Sequence, residues 1–92
     1  MDLRPFERAD WKPLPGLGCI GVEDNVVLTN AGTRVSMMRF ANHAAMAEGA
    51  ETFAIDVACI VGRGLVSVGD STAQISAGQT VRWPAHIMHR LW

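Results

Sequence analysis

The stretch GQTVRWPAHIMHRLW, Gly78 to Trp92, closes the chain and decides how the rest of it is read. Within it, QTVRW (79–83) reads as a strand, Pro84-Ala85 as a turn, and IMHRLW (87–92) as a further strand. Successive side chains of a strand point to opposite faces. Ile87, His89 and Leu91 therefore share one face, and Met88, Arg90 and Trp92 share the other. Arg90 belongs in water, which turns His89 inward between two aliphatic neighbours. His86 sits in the turn and does not share the face of His89 if the strand is regular there.

The same punctuation runs back along the chain. Ala77-Gly78 is a turn, TAQIS (72–76) a strand, Gly69-Asp70 a turn, LVSV (65–68) a strand and GRG (62–64) a turn. ETFAIDVACIV (51–61) is long and strand-like; its bulkier odd positions, Glu51, Phe53, Ile55, Val57, Cys59 and Val61, are expected to face the core. ANHAAMAEGA (41–50) reads as a loop with at most one helical turn, and TRVSMMRFA (33–41) and VVLTN (26–30) as strands around an Ala31-Gly32 turn. Seven or so short strands with glycine turns predict an all-β sandwich or barrel. Residues 1–18 hold Pro5, Pro13, Pro15, Gly16 and Gly18 and predict an extended N-terminal arm, pinned by Trp11 and Leu14, ahead of one domain over residues 19–92.

Composition narrows the function classes. The chain has 92 residues, 49% of them hydrophobic and 18% charged, with a net charge of −1. A chain of this size buries roughly 60–65% of its unfolded surface, so oligomerisation is expected. There is no basic patch for nucleic acid. No apolar run resembles a membrane span or a signal peptide, which makes a cytoplasmic protein the expectation. Cys19 and Cys59 have no metal-type spacing and read as buried free thiols.

Gly78, five residues, Pro84, one residue, His86, two residues and His89 together resemble the second motif of the cupin superfamily: glycine, five residues, proline, any residue, glycine, two residues, histidine. The chain departs from it at His86, where the family has a turn glycine, so His86 is expected to take a positive φ. IVGRGLVSVGDSTAQISAGQTV (60–81) is also similar to the family, with a Gly-x-Gly turn, a hairpin and the glycine that opens the motif. The resemblance covers roughly residues 33–92 and implies a small antiparallel β-barrel of the jelly-roll type, a double-stranded β-helix that many members use as homodimers.

For the site, the resemblance implies inward residues around His89. Counting back from Gly62, the family's first-motif glutamate falls on Ile55 and its two histidines on Gly49 and Glu51. Glu51 alone of these can ligate. A divalent metal would then rest on His89 and Glu51, with His86 or His43 added only if the loop folds back, against the three or four ligands such sites use. The leading expectation is a small-molecule-binding cupin whose apolar pocket is lined by His89, Glu51, Phe53, Trp83 and Met37. Other methionines, Met38, Met46 and Met88, and Phe40 fill core, interface or pocket. The alternatives are a metal-dependent cupin enzyme of the dioxygenase or isomerase type, and a non-catalytic dimeric sensor module. Family members run on past the second motif, so a homodimer covering the edge at Leu91 and Trp92 is expected.

Overall fold

A computed structural model describes all 92 residues. It is all-β: β1 (Lys12–Pro13), β2 (Ile20–Asn30), β3 (Thr33–Ala45), β4 (Ile55–Ala58), β5 (Arg63–Val68), β6 (Ser71–Ser76), β7 (Thr80–Trp83) and β8 (His89–Leu91). Every strand pair is antiparallel. No helix is long and apolar enough to cross a membrane.

The strands form three sheets, ordered β1-β2-β3, β4-β7 and β6-β5-β8. The second and third meet through side chains. Val66 of β5, Ile75 of β6 and Trp83 of β7 make the buried cluster, and Ile55, Val57, Val68, Val81 and Leu91 pack against it. Each fully buried side chain of this kind contributes about 1.5–3 kcal/mol. Across β4-β7, Asp56 stands opposite Arg82, and the guanidinium donates two hydrogen bonds of 2.9 Å to the carboxylate. That exposed pair spans the backbone register in which Ile55 and Val57 face inward.

The first sheet is a long hairpin edged by the N-terminal segment. Arg8 N–H donates to the Val26 carbonyl and Leu14 N–H to the Val22 carbonyl, so residues 8–14 run along β2. Arg8 also pairs with the buried Asp24, and the Arg39 guanidinium lies 4.4 Å over the Trp11 ring.

Four expectations need correction. The sheets do not close into a barrel: β4 and β7 pair only with each other, and β3 pairs on one side only. The strand foreseen over 51–61 shortens to Ile55–Ala58. The alternation holds where backbone pairing enforces it, since Ile55 and Val57 are half-buried. It lapses outside, leaving Glu51, Phe53 and Val61 exposed. Residues 41–45, read as loop, belong to β3, where a register shift opposite Ile20–Val22 accommodates extra residues and sets His43 at φ 64°. Finally, the last strand is not an open edge. β8 pairs with β5 on one side, and on the other His89 and Gly49 exchange backbone hydrogen bonds of 2.7 and 3.1 Å. Leu91 and Trp92 are half-buried there.

Candidate functional site

Trp83 ends β7, and Pro84 stops the strand because it has no N–H to donate. The chain then reverses through His86, whose φ of 66° is the left-handed conformation expected where a glycine commonly stands. The His86 N–H donates to the Glu51 carbonyl at 2.7 Å, tying the turn to the segment before β4. From there the chain enters the facing sheet, where His89 lies opposite Val68.

This crossing brings two rings face to face. Trp83 and His89 stack with centroids 4.0 Å apart and planes 5° from parallel. They are 2% and 5% exposed. Trp83 Nε1 and both ring nitrogens of His89 are buried without a hydrogen-bond partner in the protein. Burial holds the His89 pKa below its usual 6.5, and the negative charge of Glu51 opposes that shift. The ring is therefore neutral at pH 7, with one N–H donor and one bare nitrogen acceptor. With the indole N–H, the stack offers two donors and one acceptor in an apolar interior. Each buried polar group left unpaired costs about 1–3 kcal/mol.

The other expected residues fall differently. Glu51 is exposed, and its charge still reaches His89. Phe53 is 58% exposed, and Met37 lies exposed on β3 in the first sheet; neither packs on the core cluster that holds Trp83. His43 and His86 are exposed. Nowhere do three or more histidine, cysteine, aspartate or glutamate side chains converge as a metal site requires. The donor set implied by the cupin resemblance thus does not fit a metal: His89 has Trp83, not a second ligand, against its ring.

Two clefts are lined by neither Trp83 nor His89. One of about 340 Å³ is lined by Pro13, Leu14, Cys19, Val22 and Glu23, among others. In it the Cys19 sulfur accepts a hydrogen bond from Ala47 N–H at 3.3 Å. The other, about 160 Å³, lies over Ile75, Thr80 and Val81. Cys19 and Cys59 are free thiols, half-buried where full burial was expected.

Arg90 is also half-buried, not in solvent. Its Nε donates to the Met46 carbonyl at 3.2 Å, and its guanidinium lies 4.9 Å from the Trp92 ring centroid. Sequence reading missed this because an arginine can lay its aliphatic stem on apolar surface and satisfy its head locally. It also missed Ser67, whose hydroxyl is buried and unpaired and which is the register partner of Arg90 across β5–β8. A serine in an apolar strand carries no signal that separates this case from an exposed one.

No family profile, curated protein or solved structure matches this chain.

Proposed function

We propose that the chain is a small cupin-like jelly-roll protein that binds a small organic molecule against the Trp83–His89 stack, within reach of the Glu51 charge. The cupin-like part is supported by the positive φ at Gly78 and at His86, the proline between them, and the inward turn of His89. The binding part rests on one observation: three ring nitrogens buried together with no partner in the protein. Buried polar groups are paired in the great majority of native sites, so each unpaired one calls for an explanation, a functional role among them.

The chemistry of the stack selects the ligand class. A bound molecule must accept from the indole and imidazole N–H groups and donate to the remaining imidazole nitrogen. Neutral amides and cyclic imides carry both kinds of group side by side. The Glu51 charge favours a neutral or cationic molecule over an anion. The surrounding aliphatic side chains exclude water, which strengthens each hydrogen bond made there.

The test is a screen of uncharged amides and cyclic imides at millimolar concentration, followed by the indole N–H resonances of Trp11, Trp83 and Trp92. A binder is expected to move the Trp83 resonance, raise the melting temperature of the wild-type chain, and do neither to His89→Phe. Binders that act equally on the variant, or a library with no effect on Trp83, would overturn the reading.

A further inference from the structure

We propose that two copies of this chain associate through the projecting half of the β2–β3 hairpin, with β3 offering its outer edge and the face that carries Leu28, Val35 and Met37. This goes beyond the ligand-binding reading and does not depend on it. Residues 28–37 are exposed on both faces of the hairpin. Leu28 stands opposite Val35, and Met37 follows two residues on, so the three share one face. They are 47%, 43% and 46% exposed. A two-stranded hairpin with neither face packed is marginal in water.

The edge points the same way. β3 is the outer strand of its sheet, and beyond its pairing with β2 its backbone groups make no further hydrogen bond in the chain. It is 13 residues long and contains no proline or lysine, the residues that commonly blunt such an edge.

The exposed surface of the chain is larger than that of a compact monomer. The chain exposes 6765 Å², whereas a compact monomer of its 9.9 kDa exposes about 5,200 Å². The excess, about 1,600 Å², belongs to the whole chain, the exposed residues 1–7 included, and is of the order of the 1,000–2,500 Å² or so that each partner buries in an obligate homodimer.

A second copy is the occupant that suits this surface. Antiparallel pairing of β3 with its own copy is self-complementary under a two-fold axis. The projecting half carries one charged side chain, Arg34, and so presents no charge pattern for a nucleic acid or a charged peptide. The net charge of −1 does little to oppose self-association.

The experiment is light scattering on the full chain across micromolar to submillimolar concentration, with Val35→Lys/Met37→Lys as the variant. The wild type is expected at twice the chain mass, and the variant to associate about tenfold more weakly or worse, since lysine blocks edge pairing. Circular dichroism checks that the variant folds. Hydrogen exchange on the wild type gives an independent reading: amides of β3 should exchange more slowly as concentration rises. A wild type that stays monomeric would overturn the proposal. So would β3 amides indifferent to concentration, or a dimer that the folded variant leaves intact.

Discussion

At the residue scale, His89 carries the most weight. It stands in an interior that disfavours its protonated form, with both ring nitrogens unpaired. Replacing it with phenylalanine keeps a ring against Trp83 and removes two unpaired polar atoms. His89→Phe should therefore raise stability, by about 1–3 kcal/mol in urea unfolding, while losing the ligand. A gain in stability coupled to a loss of binding separates a site residue from a purely structural one. The pH dependence has a definite sign. The folded pKa lies below 6.5, so the unfolded chain takes up the proton first. The stability held by neutral His89 is complete above pH 6.5 and falls as the pH drops from there towards the folded pKa. Melting curves between pH 7.5 and 5 should show that loss in the wild type and a smaller one in His89→Phe. Equal slopes would mean that the ring is not buried as described.

At the element scale, the decisive contact is where β5 meets the C-terminal strand. Leu65 and Trp92 exchange backbone hydrogen bonds of 2.8 and 3.0 Å. Next to them, a Cβ placed on Gly64 would lie 2.8 Å from the Trp92 carbonyl oxygen. That neighbour is backbone and cannot swing aside. Gly64→Ala should destabilise the protein by about 1–3 kcal/mol, the ordinary cost of overpacking, and should speed hydrogen exchange in β8. Denaturant unfolding checks the first part. A variant as stable as the wild type would show that the C-terminal strand packs less tightly against β5. The Gly-x-Gly of residues 62–64 was readable as a turn. That its second glycine instead makes room for another strand was not, because the neighbour is 28 residues away in sequence.

At the scale of the whole molecule, little of the chain is deeply enclosed. Ten residues are buried, and four of them are polar or charged: Asp24, Asn25, Ser67 and His89. A core this small, with a projecting hairpin and principal extents of 45 × 28 × 27 Å, leaves a thin margin for an isolated chain. If association supplies the missing burial, the melting temperature must depend on concentration by mass action. It should rise steadily across a hundredfold range of protein, and should stop doing so in Val35→Lys/Met37→Lys. A wild-type midpoint that does not move with concentration would count against the dimer as a source of stability.

What the sequence by itself determined was local. Alternation and glycine or proline punctuation are properties of neighbouring residues, so the all-β class, the β5–β6 hairpin and the inward turn of His89 were legible in them, whereas the left-handed turn at His86 was implied by the motif resemblance. The tertiary structure decided the rest. Whether Glu51 and Phe53 faced inward depended on a strand that pairing cut short. Whether Arg90 met water depended on Met46 and Trp92. Whether His89 found a second metal ligand or a tryptophan depended on which sheet each side of the Pro84 turn would join. Those outcomes are set by which strands exchange hydrogen bonds across long loops, and no local pattern encodes that choice.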